Sequence, residues 1–173
     1  MNFMKKFLAI VLSLVLLLAL LPYTVVAEGE HKYGVLTYEV VDGEIVVIGC
    51  DNSAEGKIEI PEKIDNIQVT QIAVRAFALH SSITEIVIPD SVTKIGDGAF
   101  SGCYSLAIVD MSSNVQSIGA SAFNECVSLE KIELGNQLTF IGDSAFYGCK
   151  KLSMIEIPNS VENLSGTFGE CNS

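Results

Sequence analysis

The chain has 173 residues, of which 21 are Asp or Glu and 10 are Lys or Arg, so its formal net charge at pH 7 is −11. Nucleic acids and anionic membrane surfaces bind clusters of Lys and Arg, and the acidic balance argues against both as partners. The length fits one domain.

The first 27 residues have the composition of a secretory signal peptide. Lys5 and Lys6 precede an apolar run from Phe7 to Leu21, and small residues up to Ala27 suit cleavage. An uncleaved membrane anchor is the alternative, but the run of 15 residues is shorter than the ~20 that a spanning helix needs. Cleavage removes two Lys and no acidic residue, which leaves a net charge of −13. We therefore predict an exported protein, secreted or at the cell surface, without membrane insertion after cleavage.

Residues 28–57 are predicted to form an N-terminal hairpin cap and a connector. The stretch "GVLTYEVVDGEIVVIGC" alternates apolar and polar residues around Asp42 and Gly43, a dipeptide that favours a tight β-hairpin. A polar connector follows from Asp51 to Lys57. Its acidic residues do not have the spacing of a known calcium loop, so no metal site is predicted there.

From residue 58 to residue 173 the chain repeats itself every 23 residues. An Ile-Gly pair, an Ala-Phe pair and a Cys recur at this step. The Phe column contains Phe77, Phe100, Phe123, Phe146 and, after a step of 22, Phe168. Self-similarity at a fixed period predicts a solenoid in which each copy is one turn that cannot bury its apolar side alone. About five copies are expected, the last of them incomplete.

Each copy is predicted to contain one short strand per turn of about 23 residues. The segments 83–88, 106–111, 129–134 and 152–157 share an apolar-x-x-apolar-x-apolar pattern. Because every turn runs in the same direction, the strands should be parallel and the crossovers right-handed. The "IGxxAF" stretch is expected to return as a short helical or 3₁₀ segment.

The pattern C-x-x-L-x-x-I-x-I/L-P-x-x-V-x-x-I-G-x-x-A-F resembles the BspA-like leucine-rich repeats of bacterial surface and secreted proteins. The resemblance extends from Ile58 to Ser173. It implies a leucine-rich repeat solenoid of the α/β class, mostly β, and a role in adhesion to a host, matrix or neighbouring-cell protein. The general pattern has Asn or Cys three residues past the last apolar strand position. Here that position is occupied by side chains that can still hydrogen-bond to a turn, namely Ser91, Asn114, Gln137 and Ser160.

The cysteines are predicted to be free thiols. Equivalent Cβ atoms of adjacent turns lie about 4.8 Å apart with parallel vectors, whereas a disulfide prefers about 3.5–4.5 Å. Cys103, Cys126 and Cys149 are therefore expected to fill the core as small apolar residues, while the pairing of Cys50 and Cys171 is left open. Thiols arranged in a straight column cannot all reach one metal ion, which needs four ligands around it. No metal or other cofactor is therefore predicted.

No catalytic site is predicted. Beyond the signal segment the chain has two histidines, and His80 falls in the Cys column while His31 precedes the repeats. The turn serines have no His and carboxylate in a recognisable arrangement. Strand carboxylates such as Glu133 and Glu156 could imitate a glycosidase pair, but their recurrence with the repeat explains them as surface residues. The protein is therefore not expected to be an enzyme.

The outward strand positions form the predicted binding surface. Their apolar residues are surrounded by charges, which suits a protein partner of basic character, and the chain has no Trp to stack on a sugar. One alternative is a merely solvated sheet face. The candidate residues are Glu85, Val87, Ile108, Asp110, Lys131, Glu133, Met154 and Glu156.

A second function class is a structural or assembly component, or a fragment of a longer repeat protein without a ligand of its own. The fifth copy stops after Cys171 and before any strand. The segment 152–157 would then be the last strand, with an open edge that invites pairing. We expect either self-association through this end or a chain that continues beyond Ser173 in a longer protein.

Overall fold

The computed structural model describes residues 29–164 and 166–171, so the predicted signal segment lies outside the described residues. Within these ranges the chain forms short strands and no helix. The strands are β1 (His31–Tyr33), β2 (Leu36–Val41), β3 (Glu44–Cys50), β4 (Gly56–Glu59), β5 (Lys63–Ile64), β6 (Ile67–Ile72), β7 (Ile83–Ile88), β8 (Lys94–Ile95), β9 (Ile108–Met111), β10 (Ser117–Ile118), β11 (Lys131–Ile132) and β12 (Phe140–Ile141).

Asp42 and Gly43 form the turn of the predicted hairpin. Both have positive φ, 53° and 81°, as a type I′ turn requires. β2 and β3 pair antiparallel on either side of this turn, and β1 pairs antiparallel with β2 through a second turn at Gly34. β3 then pairs parallel with β6, so the confirmed hairpin is continuous with a sheet of the solenoid.

The first four repeats each contribute to two parallel ladders, so the prediction of one strand per turn is wrong. The eight-stranded sheet has the order β1-β2-β3-β6-β8-β10-β12, with β5 paired to β6, and the four-stranded sheet has the order β11-β9-β7-β4. Any segment that is extended at the same point of every turn meets its copy at strand spacing. The residues before the Ile-Gly pair meet this condition at β8, β10 and β12, which pair in register. The predicted parallel pairing is confirmed in both ladders.

The return segments are runs of tight turns, and the prediction of a helical or 3₁₀ segment is wrong. In the first of them Arg75 and Leu79 have positive φ, 57° and 65°, which a right-handed helix does not allow. Every second backbone amide of the segment donates a hydrogen bond to the next turn. Phe77 N, for example, donates to Ala99 O at 2.8 Å. The amide of Ala78 bonds locally to Arg75 O at 3.1 Å. Half of the donors thus connect successive turns.

The Phe column forms a continuous stack through the core. Adjacent rings from Phe77 to Phe168 lie 5.1–5.4 Å apart between centroids, with interplanar angles of 4–10°. The four rings from Phe77 to Phe146 are fully buried. Stacked rings at this spacing fill the layer between neighbouring turns, which explains why the sequence keeps Phe at one position.

The Ile-Gly pair allows successive turns to approach closely. A Cβ on Gly119 would lie 2.5 Å from Asp97 N, and a Cβ on Gly142 would lie 2.7 Å from Gly119 C. Real Cβ atoms are not found so close to backbone, so only Gly fits. The second ladder therefore depends on Gly for its spacing.

Polar side chains after the strands bond to the preceding turn, as predicted. Ser91 Oγ donates to Glu62 O at 3.2 Å and Asn114 Nδ2 donates to Asp90 O at 2.9 Å. Ser160 Oγ donates to Leu138 O. Gln137 differs, because its amide contacts the adjacent Asn136 side chain instead.

The number of paired residues in the four-stranded sheet decreases toward the C-terminus. β4 with β7 and β7 with β9 each pair over four residues, whereas β9 and β11 pair over two. The predicted strand at 152–157 is absent from the structure. Leu152 is still buried and its neighbours still alternate inward and outward, so the pattern predicted the facing of the side chains but not the hydrogen bonds.

Candidate functional site

The candidate site is the outer face of the four-stranded sheet. The register places Lys57, Glu85, Ile108 and Lys131 in one row across the strands, and Glu59, Val87 and Asp110 in the next row. Five of the eight candidate residues are thus side by side although the repeat separates them in the sequence. The other three candidates, Glu133, Met154 and Glu156, lie beyond the paired strands.

Lys57 belongs to this face and is absent from the predicted residues. It pairs with Glu85 across the ladder, and its Nζ lies 3.0 Å from Glu59 and 3.2 Å from Glu85 carboxylate oxygens. These hydrogen bonds raise the pKa of Lys57. The sequence signal was its position two residues before Glu59, the spacing that places two residues on the same side of a strand.

The charges on the face are partly compensated. Lys131 Nζ lies 3.2 Å from Glu133, and both side chains are exposed. Asp110 and Glu156 form no ion pair with any residue that the structure describes. The face therefore retains negative charge that a partner could neutralise.

Apolar side chains are interspersed among these charges. Ile108 is 39% exposed and Met154 is 77% exposed, while Val87 is half-buried. Ile108 lies between Glu85 and Lys131 in its row. An exposed apolar residue framed by charge can contribute a contact to a protein interface.

A groove of about 540 Å³ opens at the C-terminal end of the face. Residues 130–134 form one wall and residues 154–156 form the other. Among the described residues no backbone hydrogen bond joins 153–157 to 130–134. The corresponding segments of the earlier turns are paired, so the groove lies at the step of the ladder where backbone hydrogen bonds are missing.

The Cys column lies in the core, away from this face. All five cysteines are free thiols, and Cys103, Cys126 and Cys149 are fully buried, as predicted. Their Sγ atoms donate to Phe carbonyls of the preceding turns at 3.0–3.2 Å. Burial raises the pKa of Cys103 and of Cys149 to about 12, and it raises the pKa of Cys126 in the same direction.

Cys50 and Cys171, whose pairing the sequence left open, are also free. Burial and the adjacent Asp51 raise the pKa of Cys50 to about 11. Cys171 Sγ continues the column by donating to Phe146 O at 3.2 Å. Both thiols are half-buried.

The two histidines lie apart from the candidate face. His31 stacks on Tyr38 with ring centroids 5.3 Å apart, and His80 places Nδ1 3.2 Å from Ala78 O. The described part of the chain has no group of three or more His, Cys, Asp or Glu side chains placed to hold a metal ion. It also has no helix with the length and apolarity to cross a membrane.

Comparison with known proteins adds a family and several structures. A family model for the BspA type leucine-rich repeat region, with six copies, matches residues 70–173. Among solved structures, a T. pallidum leucine-rich repeat protein is 29% identical with a TM-score of 0.72, over 78% of this chain and 63% of that chain. No curated protein matches the chain.

Two further solved structures are similar. A leucine-rich cell surface protein of Faecalibacterium prausnitzii is 27% identical with a TM-score of 0.73, over 84% of this chain and 41% of that chain. A leucine-rich repeat protein of Bacteroides capillosus is 30% identical with a TM-score of 0.67, over 74% of this chain and 97% of that chain. The chain thus spans less than two thirds of the T. pallidum and F. prausnitzii proteins.

Proposed function

Because the chain belongs to the BspA-type leucine-rich repeat family, as its repeat columns predicted, we propose that it binds another protein through the outer face of the four-stranded sheet. In this proposal it acts outside the cell, secreted or at the cell surface, and mediates adhesion to a host, matrix or neighbouring-cell protein. The similarity to a cell surface protein of F. prausnitzii supports this location, as does the signal-like N-terminal segment.

The observation that carries the proposal is the register of the ladder. It assembles Val87, Ile108 and Asp110 with residues of other turns into one exposed surface. A protein partner can contact several turns of such a surface at once. The proposal is one of binding and includes no catalytic step.

The proposed partner is basic. Residues 28–173 carry a net charge of −13, and Asp110 and Glu156 on the face lack a cationic neighbour among the described residues. Complementary charge accelerates association and selects partners. Ile108 and Met154 would supply the apolar contacts at the centre of the interface.

Affinity capture with residues 28–173 from host or neighbouring-cell surface extracts tests the proposal. Replacing Ile108 and Met154 together by Ser should weaken binding of the captured protein by roughly 2–4 kcal/mol without loss of folding, because both side chains are exposed. Phe140→Ser is the matched control, since Phe140 is 56% exposed on the other sheet. Equal binding by the Ile108/Met154 variant and the parent would reject this face as the site.

Self-association is the second candidate function. It is favoured by β11 and β12, which end their sheets with no strand partner on the C-terminal side within the described residues. Open edges pair readily with other strands. Sedimentation of residues 28–173 over a range of concentrations separates the candidates, because assembly predicts a mass that rises with concentration without any other protein.

A further inference from the structure

We propose that the groove between residues 130–134 and 154–156 accepts an extended, basic segment of the partner as an added strand. This inference rests on the proposed binding function and assigns the place and form of recognition. Strand addition to an open sheet edge is a recurrent mode of peptide recognition, in which backbone hydrogen bonds provide affinity and side-chain positions provide selectivity.

The first support is the unfilled hydrogen-bonding capacity at this step. β4, β7 and β9 are joined by four residue pairs at each step. β11 pairs only through Lys131 and Ile132. Within the described residues, the backbone on its other side has no partner in 153–157. An incoming strand would therefore find unpaired donors and acceptors in a ladder that is already twisted and aligned.

The second support is the shape of the groove. Its volume is about 540 Å³, and more exposed and more buried side chains alternate along both walls. The last turn remains attached elsewhere, because Phe146 N donates to Thr167 O at 3.0 Å and the rings of Phe146 and Phe168 stack. The turn is thus fixed at its return segment while the strand side is open.

The third support is charge, which selects the occupant. The walls contain Glu130, Glu133 and Glu156 against Lys131, and Lys131 is already 3.2 Å from Glu133. Lys151 pairs with Glu130 at 2.8 Å from outside the groove. Glu156 has no such pair among the described residues. A segment alternating Lys with apolar or β-branched residues would place cations on the outer side, beside Glu133 and Glu156, and apolar groups on the other side, beside Ile132 and Ile155.

A second copy of this chain is a poorer occupant. Its net charge of −13 over residues 28–173 would bring like charges together at an acidic groove. The chain's own segment 153–157 could instead close onto β11. These two occupants give different experimental signatures from a basic peptide.

The test uses residues 28–173 and a synthetic peptide of alternating Lys and Val, with a copy that is N-methylated at every second residue. The parent peptide should bind and should slow hydrogen exchange at the amides of residues 131–134 or 153–157. The N-methylated copy should bind at least tenfold more weakly, because it loses one row of backbone donors. Equal binding of the two peptides, or no binding of either, would overturn strand addition.

Matched charge variants locate the contact. Replacing Glu133 and Glu156 together by Gln should weaken the parent peptide by up to about tenfold, whereas Glu62→Gln combined with Glu162→Gln should have no effect, since both are exposed and outside the groove. Slow exchange at 153–157 in the free monomer would show that the chain closes the groove itself. Loss of peptide binding on self-association would identify a second copy as the occupant. Both results would overturn the proposal.

The Glu133/Glu156 variant, together with Ile108→Ser alone, separates this inference from the proposed function, because Ile108 lies outside the groove. If the captured protein responds to Ile108→Ser but not to Glu133→Gln with Glu156→Gln, and protects no amides in 131–134, the sheet face binds the partner and the groove does not. If it responds to neither set, the proposed face is rejected as well.

Discussion

Gly119 and Gly142 show how a single residue type sets the distance between turns. Each lies against the backbone of the preceding turn, at positions where a methyl group would overlap main-chain atoms. Backbone atoms cannot rotate away as a side chain can, so the neighbouring turn would have to move. Single glycines thus set the spacing of the ladder.

Gly119→Ala should destabilise the protein by about 2–3 kcal/mol, because the added Cβ would lie 2.5 Å from Asp97 N. Gly49→Ala is the matched control, since its nearest neighbours are 3.8 Å away or more and its φ is not positive. Urea unfolding followed by circular dichroism measures both. A Gly119 variant as stable as the Gly49 variant would contradict the close-packing argument.

The buried thiols predict a loss of stability at alkaline pH. Burial raises the pKa of Cys103 and Cys149 to about 12, above the ordinary value near 8.5 of an unfolded chain. The folded state therefore holds its protons more tightly, and stability present below pH of about 8.5 is lost as the pH rises toward about 12. Each thiol contributes up to about 1.4 kcal/mol per pH unit in that window.

Unfolding free energies measured at several alkaline pH values check this, with Cys149→Ala as the comparison. The variant should be less stable than the parent at neutral pH but should lose less stability with rising pH.

The native thiols of Cys103, Cys126 and Cys149 should also resist alkylation until the protein is denatured. Rapid labelling of all three in the native protein would contradict a core location.

The Phe stack connects every return segment to the next. Its central ring, Phe123, is fully buried and lies 5.2 Å from the Phe100 ring and 5.3 Å from the Phe146 ring. Phe123→Ala should therefore cost about 3–5 kcal/mol by opening a cavity between two turns. The same change at Phe140, which is 56% exposed, should cost less than about 1 kcal/mol. Thermal unfolding of both variants measures the difference, and similar losses would refute the stack as a main source of stability.

How far the elements follow from the sequence is clearest in the repeat columns. Periodicity of Phe, Cys and Ile-Gly predicts a parallel solenoid, because residues repeated at a fixed step must stack. It also predicts which side chains face outward, including Ile108 and Asp110. It does not reveal the second ladder, since two-residue strands such as β8 are too short to show alternation.

The return segments differ from the helical or 3₁₀ prediction for another reason. The positive φ of Leu79 and Glu125 is imposed by hydrogen bonds to the next turn, and neither residue type favours that conformation. Tertiary pairing therefore overrides local preference. The groove beside β11 also cannot be predicted from the sequence. Residues 152–157 have the same apolar pattern as the strand segments of the earlier repeats and differ only in lacking strand pairing.

For the molecule as a whole, the excess of acidic residues should govern the kinetics of binding. With a net charge of −13 on residues 28–173, association with a basic partner should slow markedly between about 0.1 and 1 M salt, as the screening length falls from about 10 to 3 Å. Dissociation should change less. Surface plasmon resonance with the captured protein measures both rates. An association rate independent of salt would argue for an interface dominated by apolar contacts.

The last step of the Phe column is 22 residues and the others are 23, yet Phe168 still stacks on Phe146 at 5.4 Å. The missing residue lies between Leu164, which occupies the Ile position of the Ile-Gly pair, and Phe168. Despite the shorter step, Phe168 still stacks on Phe146 and Cys171 still continues the Cys column. Genes for such a scaffold can therefore gain or lose a codon between these two columns, or duplicate a whole copy, while each new turn meets the same neighbour surface. The fold thereby tolerates evolutionary changes in length that would disrupt a domain with a single closed core.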